Sequence, residues 1–227
     1  MGSVDCKGIP MVKAELARRM VRRGKGKKAQ KKKMATVAAV YLQRPRRRTP
    51  VEVVESLFDP EKARGRRRNE RPQGKRIWAS LVVPKESFIR DVGEEMKRRD
   101  PRKSLRWVVV TDGERALQRL VCKTLKGFCL VLDFLHVLEK VWSVGHALHG
   151  EGTEEAVTFV RRRALALLQG RVSQVVKGLR QIATKRRLRG ERLKAVLGAA
   201  KYFYGNRSRM RYHEYLRQGF PIASGPV

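Results

Sequence analysis

Short apolar runs alternate with amphipathic stretches through the first two-thirds of the chain, and only helical spacing follows. W-V-V-V-T (107–111) and F-C-L-V-L (128–132) are continuous apolar runs of strand length, as strands covered on both faces require. A-T-V-A-A-V-Y-L (35–42) and I-W-A-S-L-V-V (77–83) are rich in small, β-branched and aromatic residues and predict two more strands. M-G-S-V-D reads as the end of a further strand, followed by a turn around Gly8 and Pro10.

Helices are predicted between these runs. T-P-V-E-V-V-E-S-L-F opens with Thr49 as cap, Pro50 in the first turn and Glu52 completing a capping box. Phe88, Val92 and Met96 recur every four residues over 84–99, and Leu117, Leu120 and Val121 mark an inward face after Asp112. A helix from about 135 to 148 follows the last apolar run. Residues 154–218 show helical periodicity alone, with Gly170, Gly190 and Gly205 as expected breaks. The pattern predicts an α/β core over 1–150, a sheet flanked by helices, and an all-helical segment over 151–227.

Charge changes the picture more than composition does. The 227 residues include 54 Lys+Arg against 21 Asp+Glu, a net charge of +33, while 41% hydrophobic residues still permit a packed core. So large an excess calls for a polyanion, and nucleic acid is the commonest; a ribosome-associated role or a membrane surface fits the charge equally well. Two stretches concentrate it. R-R-M-V-R-R-G-K-G-K-K-A-Q-K-K-K (18–33) holds ten bases and no acid, and K-A-R-G-R-R-R-N-E-R-P-Q-G-K-R spans 62–76. Both are expected to be solvated loops that contact phosphates through Arg22, Arg23, Lys25, Lys27, Lys28, Lys31, Lys32, Lys33, Arg66, Arg67 and Arg68. No apolar run reaches the ~18 to 20 residues of a membrane span, and the N-terminus carries no apolar signal core. Three cysteines, Cys6, Cys122 and Cys129, make no disulfide framework, so a reduced cytoplasm is expected.

The candidate chemistry lies in acids at strand ends. Asp112 follows W-V-V-V-T, Asp133 follows F-C-L-V-L, and Asp5 follows the opening strand. Such positions line the crevice where α/β sheets bind ligands, and converging carboxylates suit Mg²⁺ or Mn²⁺. The plainer reading is that Asp112 caps the helix starting near Glu114, and spacing alone slightly favours it. Cys122, Cys129 and His136 lack the short spacings of a zinc site, and the cysteines are expected to be buried as small hydrophobes. Ser224 mimics a nucleophile turn without the G-x-S-x-G pattern.

Four segments together resemble a known family. D-C-K-G-I-P-M, V-T-D-G-E-R-A-L, D-F-L-H and N-R-S-R-M-R-Y with G-F-P-I-A-S-G are similar, in this order, to motifs of ISKra-type bacterial insertion-sequence transposases. These are Mutator-like DDE enzymes with a ribonuclease-H-like core. The resemblance implies that Asp5 and Asp112 are catalytic and metal-binding, with Asp133 and His136 as an accessory Asp-x-x-His motif. It further implies Mg²⁺ or Mn²⁺, double-stranded DNA as partner, and a nucleoid-associated cytoplasmic protein able to form homo-oligomers. In that family a catalytic Glu follows the segment matching I-A-S-G-P-V. The sequence ends at Val227, so the expectation is a fragment that binds DNA without strand transfer. The rival expectation is a non-catalytic nucleic-acid-binding protein, such as a ribosome-associated factor, in which the acids are caps.

Overall fold

The computed structural model describes residues 2–10, 32–63 and 70–224, with backbone alone for residues 3, 5–10, 32, 33 and 63. Five strands form one mixed sheet: β1 (Gly2–Pro10), β2 (Lys32–Leu42), β3 (Gln73–Ser80), β4 (Trp107–Thr111) and β5 (Phe128–Leu132). Their order across the sheet is β3-β2-β1-β4-β5. β1 pairs antiparallel with β2, and β2 with β3, whereas β1–β4 and β4–β5 are parallel. The two parallel steps need crossovers, and each is made through a helix.

Between the strands run α1 (Pro50–Phe58), the short α2 (Pro60–Ala63), α3 (Lys85–Arg99) and α4 (Arg115–Thr124). After β5 come α5 (Phe134–His149), α6 (Glu154–Leu168), α7 (Val172–Lys185), α8 (Gly190–Asn206), a 3₁₀ turn at Arg207–Arg209, and α9 (Tyr212–Gln218). The capping box of α1 forms as its sequence predicts: Glu52 N–H donates to Thr49 Oγ1 at 3.2 Å, and Thr49 N–H donates to Glu52 Oε2.

Helices cover both faces of the sheet. On one face Phe88, Ile89, Val92 and Met96 of α3 and Leu117 and Val121 of α4 pack on Val4, Ala38, Val40 and Val109. On the other, Val108, Val110 and Val131 join α1 and α5–α9 in a single apolar cluster that reaches Ile222. The helical segment therefore shares its core with the sheet. Among the described residues no helix is long and apolar enough to cross a membrane.

Several expectations are corrected. β1 does not turn at Gly8 and Pro10 but continues as a strand, because Gly8 pairs with Met34 and Pro10 with Lys32. Proline is tolerated there because it closes the ladder. The loop expected over 18–33 accordingly gives way to β2 at Lys32 and Lys33, and that over 62–76 gives way to β3 at Gln73. The strand expected over 77–83 stops at Ser80, whose Oγ accepts the Val82 and Val83 N–H groups at 3.2 and 2.9 Å and bends the chain. Gly170 and Gly190 do mark helix boundaries, but Gly205 lies inside α8.

Candidate acidic site at the strand ends

β4 and β5 end level with one another, and β1 runs on past them in the same register. Val4 pairs with Thr111, and Thr111 with Leu132, so Asp5, Asp112 and Asp133 take the next register position on β1, β4 and β5. Neighbouring strands stand about 4.8 Å apart, which sets the backbone spacing within such a row. The Asp133 N–H donates to Thr111 O at 2.8 Å and carries the parallel pairing one residue past the strands. The carboxylate of Asp5 lies outside the described residues.

The two described carboxylates differ in state. Asp133 is 1% exposed and caps α5. Its Oδ1 accepts the Leu135 N–H at 2.8 Å, and its Oδ2 accepts the Ser224 N–H at 2.9 Å as well as the Ser224 hydroxyl. Both oxygens are thus spent on ordering backbone. Asp112 is half-buried, and its Oδ1 accepts the Glu114 N–H at 3.0 Å. This is a turn preceding α4 rather than its cap: the cap position belongs to Glu114, whose side chain makes no capping bond.

α8 closes over this row. A Cβ at Gly113 would stand 2.2 to 2.5 Å from ring atoms of Tyr202, so only glycine lets that ring lie against the strand end. Burial raises the Tyr202 phenol well above its ordinary pKa, and the charges of Asp112, Asp133 and Glu139 raise it further. Tyr212 donates to Leu132 O at 2.9 Å, and its phenol is likewise raised, first by burial and then by Tyr202 and Asp133. The acidic row is therefore roofed by neutral phenols. The segment after α9 completes the enclosure, since Ile222 O accepts the Phe134 N–H at 2.8 Å beside the Ser224–Asp133 contacts. Ser224 is a ligand of Asp133, not a nucleophile turn.

His136 sits in the first turn of α5, with its Nδ1 3.2 Å from Glu139 Oε2 at the surface. Cys122 is exposed and Cys129 half-buried, both free, so the expected burial fails for Cys122, on the outer side of α4. Among the described residues no three His, Cys, Asp or Glu side chains stand together as a metal cluster. Of the basic residues singled out, Arg22, Arg23, Lys25, Lys27, Lys28, Lys31 and Arg66–Arg68 lie outside the described residues, and Lys32 and Lys33 belong to β2. No local pattern announces Tyr202 or the contact of Ser224 with Asp133. The pairing of D-G with a distant Y-F-Y-G is too loose a signal to reveal the first, and S-G after a buried turn offers only a partial hint of the second.

No protein-family model matches the chain, and no curated protein or solved structure does.

Proposed function

We propose that the chain is the core of a DNA-acting, transposase-like protein, in which Asp5 and Asp112 form an acidic site for a divalent cation. The observation that carries this reading is the register row: acids on adjacent parallel strands, at one edge of the sheet, in a chain of net charge +33. Three antiparallel strands followed by two parallel ones, with helices on both faces, are what a ribonuclease-H-like core is expected to have. The ribbon supports it as well. β1 is paired with β2 alone from Asp5 to Pro10 among the described residues, and β2 opens with Lys32 and Lys33 of the basic 18–33 stretch.

Hard carboxylate oxygens of Asp112 and Asp5 fit Mg²⁺ or Mn²⁺ in kind. When bound, such a cation would polarise a phosphodiester and stabilise its leaving oxygen. The chain's own part is to fix the Asp112 carboxylate through the Glu114 N–H, to exclude water with Tyr202, and to hold the polyanion by its bases.

The test is ¹⁵N spectroscopy of residues 1–227 titrated with Mn²⁺. Broadening is expected around Thr111–Glu114, with apparent affinity lowered about tenfold or more by Asp112→Asn or Asp5→Asn and little by Asp133→Asn. Broadening that survives Asp112→Asn overturns the site. Duplex affinity should fall steeply with salt and vary little between unrelated sequences, each phosphate contact contributing roughly 0.9 to the logarithmic slope.

A second reading, a nucleic-acid binder without catalysis, draws on the complete engagement of Asp133 by Leu135 and Ser224. Salt-dependent duplex binding without any Mn²⁺ site would favour it.

A further inference from the structure

A second basic feature lies at the opposite edge of the sheet. There a cavity of about 1020 Å³ opens beside the start of β4, lined by the end of β2, the turn after α3 and the segment after α9. Asp112 is five residues along β4 from Trp107 at its wall, about 16 Å at strand rise. Seven arginines line it: the four of the run Arg44–Arg48, with Arg71, Arg99 and Arg106. Acids offset two of them, Arg44 beside Glu70 and Arg99 on Glu95 of α3, and leave the rest in excess. Asp100 is engaged internally, accepting from Ser104 N–H at 2.8 Å, Leu105 N–H at 3.0 Å and Trp107 Nε1–H at 2.8 Å. Glu70 is exposed and 3.5 Å from Arg44.

Arg48 shows the imbalance most directly. Its Nη2 donates to Phe220 O at 3.2 Å, yet its Nε is buried with no partner among the described residues. Burial first, then the charge of Arg46, pushes the guanidinium below its ordinary pKa, against the opposing charge of Glu52. A half-buried cation beside another cation favours an anionic ligand. The walls are not only basic: Phe220, Pro221, Pro45 and the Trp107 ring, fixed by its bond to Asp100, supply half-buried or exposed apolar surface.

We infer that this cavity binds an unpaired nucleic-acid strand, its phosphates on the arginines and a base against the Trp107–Phe220 walls. The shape selects the unpaired form. A duplex presents phosphates along convex ridges and does not enter a recess, whereas a single strand bends inward and exposes base faces for stacking. The volume is at the top of the range for ordinary ligand sites and accommodates about two nucleotide units. The inference adds a strand-binding pocket to the DNA-binding reading but needs no metal, so the Mn²⁺ experiment and this one fail separately.

The test replaces three exposed arginines together, Arg47→Gln, Arg71→Gln and Arg106→Gln. A control removes the same charge from α7 by Lys177→Gln, Arg180→Gln and Lys185→Gln. Affinities for a ten-nucleotide oligo-dT, a blunt duplex of equal length and an oligo-glutamate of equal charge are measured at one salt concentration. The pocket variant is expected to lose about tenfold on oligo-dT and less than about threefold on the duplex, with the control near unchanged on oligo-dT. An oligo-dT carrying 5-iododeoxyuridine should crosslink to peptides 104–108 or 218–223. Equal losses on oligo-dT and duplex, equal losses in the two variants, oligo-glutamate binding as tightly as oligo-dT, or crosslinks confined to other peptides would overturn the pocket.

Discussion

Gly113 shows how one missing side chain sets the site. Tyr202 occupies the space a Cβ would take, and through it α8 sits on the end of β4. Gly113→Ala is expected to destabilise the fold by about 1 to 3 kcal/mol, the usual penalty of overpacking. The same substitution in a Tyr202→Ala background should be nearly neutral. Chemical denaturation of the four-member cycle checks this, and additive effects would show that the ring is not what the glycine accommodates. At the same scale, Asp112 and Asp133 look alike in the sequence, each ending an apolar run, yet one orders a turn and the other has both oxygens committed. The committing partner of Asp133 is 91 residues away, so no local pattern reveals it.

Among the elements, β3 is an edge strand, held to the sheet by β2 and to α3 by the Glu95 carboxylate, by the bond from Arg99 to Gly74 O and by the Trp78–Phe88 contact. Glu95 accepts from Arg99 Nε at 2.7 Å, Arg98 Nη2 at 2.5 Å and Arg76 Nη1 of β3 at 2.6 Å. The hydrogen bond from Arg99 is the chief cause of a lowered Glu95 pKa; burial opposes it, and Arg76 and the neighbouring charges reinforce it. A lowered folded pKa means the stabilisation is present above the unfolded value, about 4.3, and is lost as pH falls through the folded one. Glu95→Gln is therefore expected to lower Tm by a few degrees at pH 7, about 1 kcal/mol, with Arg76 and Arg98 largely solvated and Arg99 mostly buried. The difference should begin to shrink as pH falls below about 4.3 and vanish only after pH has passed the lowered folded value, where wild-type Glu95 protonates. A Tm gap that stays constant with pH would assign the loss to packing instead.

Over the whole molecule, β4 carries both clusters: Val108 and Val110 face one, Val109 the other. Two cores on one strand cannot open independently, because losing either exposes the same ladder. Urea unfolding is expected as one transition with a common midpoint for two reporters. Trp142 reads the α5–α9 side, and Trp78 with Trp107 reads the α3–α4 side. Single-tryptophan variants followed by fluorescence provide the measurement; separated midpoints would mean that the helical segment unfolds as a unit of its own.

The sequence by itself determined the order of strands and helices, the α1 capping box, the inward faces of α3 and α4, and the places of Asp112 and Asp133 after apolar runs. These are local matters of periodicity, capping chemistry and runs too apolar to face water. Tertiary structure alone decided the rest. The extension of β1 through Pro10 depends on pairing with β2, and the start of β3 at Gln73 depends on the same strand. The engagement of Asp133, the phenol roof of Tyr202 and the arginine cavity likewise join residues far apart in the chain. Hydrogen-bond partners across a sheet and ions across a cavity are chosen by proximity in space, and proximity exists only once the hydrophobic clusters have closed around β4.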